Sequence, residues 1–161
     1  MASFLVGGRQ LRLKGTVSVN ASQEEVWRIF MDPAQFCKVM PGCEKARKLD
    51  DTHYEAILAV KVPFMTIRSK AKGTILEAQA PHHLVGELAG EPHSVSGSFR
   101  NRVTIDLVPI NNKTKIEYTM EITMLGRLAG VGETVARLIA RRFSKEFTDN
   151  VSNLFNKPKR R

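Results

Sequence analysis

Cysteine, histidine and long apolar runs are all scarce in this chain, and each scarcity closes off a class of protein. Two cysteines, Cys37 and Cys43, are too few for a disulfide-built scaffold, and their spacing matches no zinc pattern. The compartment argument favours two free thiols, with a local bridge as the alternative. Four histidines give little to work with. His82 and His83 are strand neighbours that face opposite ways and so do not chelate one ion. His53 and His93 fall near strand ends. No HExxH, GxSxG or P-loop pattern occurs, so no metal, cofactor or catalytic residue is expected. No apolar run approaches the ~20 residues of a membrane span. The opening Met1-Ala-Ser-Phe-Leu-Val-Gly-Gly lacks the basic start of a secretory signal, which makes the cytoplasm the expected location.

Acid is also in short supply. Sixteen Asp and Glu face 25 Lys and Arg, a formal net charge of +9 across 161 residues. The length suits one domain. The charge suits anionic surfaces: lipid headgroups, nucleic acid or an acidic partner. Nucleic acid is disfavoured, because the basic residues carry no recognition motif and no interleaved aromatics.

What is present is a change of hydrophobic period along the chain. From Gln10 to Val19, residues Leu11, Leu13, Gly15, Val17 and Val19 share one face, the mark of a half-buried strand. Ser22 and Glu25 then have capping-box spacing ahead of a short helix burying Val26, Trp27, Ile29 and Phe30. Asp32-Pro33 starts a second short helix that ends at Pro41-Gly42. From His53 to Met124 the period is mostly two, with one apolar and one charged face, which predicts an antiparallel sheet wet on one side. Past Gly126 the period becomes helical: Leu128, Val131, Val135, Leu138, Ile139, Phe143, Phe147, Val151 and Leu154 form one stripe. One helix from Arg127 to Phe155 would be roughly 40 Å long, weakened at its start by Gly130 and Gly132.

This order predicts an α+β fold: a curved antiparallel sheet of about six or seven strands around a long C-terminal helix, with two short helices after the first strand. The expected divisions are an N-terminal extension at 1–9, the domain at 10–155 and a basic tail at 156–161. Inward positions Gly15, Ser69, Ala71, Gly73, Gly86 and Gly97 are small. They let the helix approach closely or leave an apolar pocket. The expected lining of such a pocket is Phe30, Phe36, Met40, Met65, Ser69, Phe99, Asn101, Tyr118, Met120, Met124, Leu128, Val131 and Val135. Methionine suits a pocket that adapts to a greasy ligand. The turn Val62-Pro63-Phe64-Met65 would cap the mouth or touch a membrane.

Strand parity sends Glu55, Asp106, Glu117 and Glu121 outward and leaves Tyr54, Tyr118, Ser69 and Asn101 as the inward polar set. None is an evident general base, so a non-catalytic binder is expected. Arg68, Lys70, Lys72, Arg100 and Arg102 also point outward, while Arg137, Arg141, Arg142 and Lys145 decorate the helix. That basic surface is a solvated face or an attraction to anionic headgroups, worth ~1 kcal/mol per residue near a membrane.

Certain segments resemble a known family. Gly15-Thr-Val17-Ser-Val19, Glu25-Val-Trp27, Asp32-Pro33, Met40-Pro41-Gly42-Cys43-Glu44, Tyr54-Glu-Ala56, Val60-Lys-Val62 and Lys72-Gly73 are similar to the SRPBCC (START/Bet v 1-like) superfamily. Within it they resemble the CoxG family of carbon monoxide dehydrogenase proteins, over residues 10 to 155. The resemblance implies a helix-grip fold with a hydrophobic cavity and an accessory role around a molybdenum-containing CO dehydrogenase-type enzyme at the membrane. Some members carry a C-terminal anchor; this chain ends in a basic tail. The expected function is a carrier or binder of an apolar small molecule, of the quinone or isoprenoid lipid class. A cyclase- or hydrolase-type enzyme and a pure membrane-docking adaptor are the alternatives.

Overall fold

The computed structural model describes residues 3–5, 8–62, 65–93 and 95–156. Eight strands form one antiparallel sheet: β1 Ser3–Leu5, β2 Gly8–Val19, β3 Cys43–Lys48, β4 His53–Val62, β5 Met65–Gln79, β6 His83–Pro92, β7 Ser98–Ile110 and β8 Lys113–Leu125. Their order is β1-β2-β8-β7-β6-β5-β4-β3, so from β3 to β8 each strand pairs with the next in the chain. The sheet is one strand larger than expected, and it starts ahead of residue 10. Ser3–Leu5 pairs with Gly8–Gln10, too short a run to show a period in the sequence. The tail at 157–161 and the turn residues Pro63 and Phe64 lie outside the described residues.

The two short helices form where their caps are. In α1, Gln23–Phe30, the Ser22 side chain accepts from the Glu25 N–H at 3.2 Å. In α2, Pro33–Val39, Asp32 accepts from the Ala34 N–H at 3.0 Å, and Pro33 opens the helix where its missing N–H does no harm. Gly42 then turns the chain at φ +80°, with no room for a side chain against the Ala59 carbonyl oxygen. Cys37 and Cys43 flank that turn and are joined as a disulfide, correcting the expectation of free thiols. The short loop brings their Cα atoms to 5.3 Å, well within bridging range.

The terminal helix is shorter than its apolar stripe. Residues Gly126–Val131 form a 3-10 turn, Gly132 breaks the chain at φ +90°, and α3 runs Glu133–Asn156. The two glycines explain the difference, since the backbone there is free to leave the α conformation. The C-terminal half of α3 is anchored to the sheet. Phe147 and Val151 are fully buried against Val19, Ile116, Tyr118 and Met120, with the Phe147 ring edge-on to Tyr118 at 4.9 Å. The Tyr118 hydroxyl bonds Ser144 Oγ at 2.7 Å and Thr148 Oγ1 at 3.3 Å, and Asn150 donates to the Val39 carbonyl of α2. The helix is gripped by the concave face of the sheet, the helix-grip architecture.

Candidate ligand cavity

The two halves of α3 differ in side-chain size. Where the C-terminal half carries Phe147 and Val151, the N-terminal half turns the buried Ala136 and Ala140 to the sheet. Two methyl groups one turn apart do not fill the gap, and an inner cavity of about 150 Å³ remains. Its floor comes from the sheet: Leu11, Leu58, Val60, Ile67, Leu88, Phe99, Ile122 and Met124. Leu128, Ile139 and Phe143 close it from the helical side. Ser69 and Asn101 are its polar members, 5% and 7% exposed, and among the described residues no titratable side chain lines it.

A larger cleft of about 360 Å³ lies beside it, between α1–α2 and strands β4 to β7. Its depth is apolar, with Phe30, Met31, Phe36, Ile75, Leu84, Val103 and Ile105; Phe30 meets Phe36 edge-on at 5.3 Å. Its rim is the β3–β4 turn, where Lys48, Asp50, Asp51 and His53 are exposed. The Thr52 backbone N–H and the His53 ring hold the pKa of the Asp50 carboxyl down to about 2. Tyr54, also on the wall, has its phenol pKa pushed up by burial. Met40 and Leu88 line both spaces and form the partition between them.

Not every small inward residue makes room. Beside Gly15 the Tyr118 ring occupies the space a side chain would take, and beside Gly73 the Tyr54 ring does the same. These are cross-strand pairs, Gly15 with Tyr118 and Gly73 with Tyr54. At Gly86 the space is open: an added Cβ would meet only the Thr74 carbonyl oxygen, at 3.6 Å.

Of the thirteen expected lining residues, Met40, Ser69, Phe99, Asn101, Met124 and Leu128 line the inner cavity, and Phe30 and Phe36 line the cleft. Tyr118 and Met120 do not: both are buried in the main core, and the Tyr118 hydroxyl is taken by α3. Met65 packs on Ile67 and Leu128 in a separate apolar cluster at the 3-10 turn. Val135 is half-buried and lines neither space, because the 3-10 segment and Gly132 shift the phase of the helix stripe. The Val131 side chain lies outside the description. Sequence reasoning missed Leu88, Ala136, Ala140 and the rim at Asp50–His53. Leu88 shares strand parity with Gly86, and Ala136 with Ala140 makes an i,i+4 small pair, so both signals were present.

The outer surface follows parity. Arg68, Lys70, Lys72, Arg100 and Arg102 are exposed, and several are paired: Arg68 with Glu44 at 3.2 Å, Lys70 with Glu55 at 3.3 Å and Arg100 with Glu87 at 3.4 Å. No described helix is long and apolar enough to cross a membrane.

A curved sheet wrapped on a terminal helix, with two short helices after its first long strand, places the chain in the START-like helix-grip class. The family model for the carbon monoxide dehydrogenase protein CoxG matches residues 15–155, and the chain belongs to that family. Among solved structures, a conserved protein of Geobacillus kaustophilus is 24% identical with a TM-score of 0.79, over 91% of this chain and 95% of that one. A START superfamily protein of Mycobacterium smegmatis is 10% identical, with a TM-score of 0.69 over 90% and 97% of the two chains. The ZhuI aromatase/cyclase of Streptomyces sp. R1128 is 15% identical, with a TM-score of 0.65 over 88% and 91%. At these identities the likeness is one of fold. A search of curated proteins found no match to the chain.

Proposed function

We propose that this protein is a non-catalytic carrier of an apolar small molecule of the quinone or isoprenoid lipid class, acting as a CoxG-type accessory to a CO dehydrogenase-type oxidoreductase. The observation that carries the reading is the pair of adjoining apolar spaces separated only by Met40 and Leu88. Together they have the apolar lining and few convergent polar groups of a small-molecule site. Catalysis by the inner cavity has no support in its lining, since the nearby acid–base groups, Asp50 and His53, are exposed at the outer rim.

The charge distribution supports loading at an anionic membrane. Lys61 and Arg142 border a groove of about 270 Å³ that shares Pro41, Val60, Ile139 and Phe143 with the inner cavity. Cations at such an opening would draw the protein to headgroups while the ligand enters. In this reading the protein works at the inner face of the membrane from the cytoplasm.

The test is organic extraction of protein purified from its native host, followed by mass spectrometry. The expected result is one quinone or isoprenoid lipid near stoichiometric amount. A clean extract, repeated after incubation with host membranes, would favour the docking adaptor instead. Turnover of an aromatic polyketide or ester substrate that is lost in His53→Ala would replace the carrier with an enzyme.

A further inference from the structure

The inner cavity holds a polar atom that the protein does not satisfy. Asn101 lies in the middle of β7, and the strand register sets it in a row with Leu88 of β6, Ile122 of β8 and Leu11 of β2. All three neighbours are apolar and face the same cavity. Asn101 is 7% exposed, and its Oδ1 has no hydrogen-bond partner among the described residues. Buried acceptors are nearly always paired, and one left unmade is more destabilising than an apolar group of the same shape. Leucine has that shape and would complete the row. An amide in its place fits a group that donates to it from within the cavity.

The dimensions limit what that group belongs to. A space of about 150 Å³ is comparable to a cavity that holds one benzene ring. A long chain must therefore leave it, and the way into the 360 Å³ cleft passes Met40 and Leu88. Methionine, unbranched and flexible, suits a side chain that moves aside. With no titratable group on the inner lining, an ionised donor would be buried uncompensated, so the donor is neutral.

We propose that Asn101 is the head-group recognition residue of this site, accepting a hydrogen bond from an O–H or amide N–H on a small ring whose apolar tail passes Met40 into the outer cleft. This rests on the carrier reading and narrows it. Within the quinone class it selects the reduced hydroquinone, which has O–H donors, over the oxidised quinone, which has only acceptors.

The experiment uses two probes of equal length, 4-octylphenol and 4-octyltoluene, which differ by a hydroxyl against a methyl group. Each is titrated by calorimetry into the wild type and into Asn101→Leu. The phenol-to-toluene affinity ratio is expected to be about tenfold higher in the wild type than in the variant, the worth of one buried hydrogen bond. In parallel, the Asn101 side-chain amide resonances of the wild type are expected to shift with the phenol and not with the toluene, a readout independent of how the variant folds. Binding of both probes with equal ratios and no amide shift overturns the role of Asn101 and leaves the carrier reading standing. Binding of neither probe overturns both.

Discussion

Replacing Gly86 with valine is expected to stabilise the protein and weaken its ligand binding, opposite to the usual effect of enlarging an interior residue. Gly86 faces the cleft from β6, and an added Cβ there meets only the Thr74 carbonyl oxygen at 3.6 Å, an ordinary contact. A valine side chain gains about 1.5–3 kcal/mol when fully buried. The cleft is open on one side, so about a third to a half of that is expected. Losing glycine from the unfolded chain adds about 0.4–1 kcal/mol. The net gain is about 1–2 kcal/mol, or roughly 2–8 °C in Tm for a chain of this size. The same side chain displaces about two methylenes of a ligand tail, worth ~1.6 kcal/mol and hence a drop of about tenfold in affinity for 4-octylphenol. Urea unfolding followed by circular dichroism reads the first quantity, and calorimetry reads the second. Gly73→Val provides the contrast, because the Tyr54 ring already fills that space and must shift, at a cost of about 1–3 kcal/mol. Loss of more than about 1 kcal/mol in Gly86→Val, or unchanged binding, would refute the reasoning that this glycine exists to hold space open.

Tyr118→Phe keeps the ring against Phe147 and removes the hydroxyl held by Ser144 and Thr148. It should cost about 1 kcal/mol in urea unfolding with no change in probe affinity; an affinity loss would place Tyr118 at the ligand after all. The Cys37–Cys43 bridge closes a short loop, and Cys43→Ser should lower stability by about 2 kcal/mol on the chain-entropy estimate. Mass spectrometry of alkylated protein, without prior reduction, checks the bridge itself. Free thiols in freshly lysed cells would match a reducing cytoplasm and remove this contribution. His83 has its pKa raised above 6.5, chiefly by the hydrogen bond to Asp106 at 2.6 Å. Because the folded value is the higher one, the stabilisation is fully present below 6.5 and is lost as pH rises through the raised value. Wild-type stability should therefore fall relative to Asp106→Asn across that interval, and equal pH profiles would exclude the coupling.

Much of the fold is decided locally and could be read in order along the chain. The capping pairs at Ser22 and Asp32, the glycine turn at Gly42 and the period-two strands are interactions of near neighbours, so residue spacing carries them. Strand parity likewise placed Ser69 and Asn101 inside and the arginines outside, since alternate side chains take opposite faces. The cavity itself was legible only in part. Whether a small residue leaves room depends on what stands across from it: at Gly15 and Gly73 a tyrosine from the next strand fills the space, and at Gly86 nothing does. The phase of α3, shifted by Gly132, decides that Ala136 and Ala140 rather than Val135 face the sheet. The partition at Met40 and Leu88 brings together residues 48 positions apart, and so does not exist in any local pattern. Sequence by itself determined the elements, their faces and the polarity of each face. Only the tertiary structure decided where side chains from distant strands and the helix fail to meet, because a void is set by volumes packed in three dimensions.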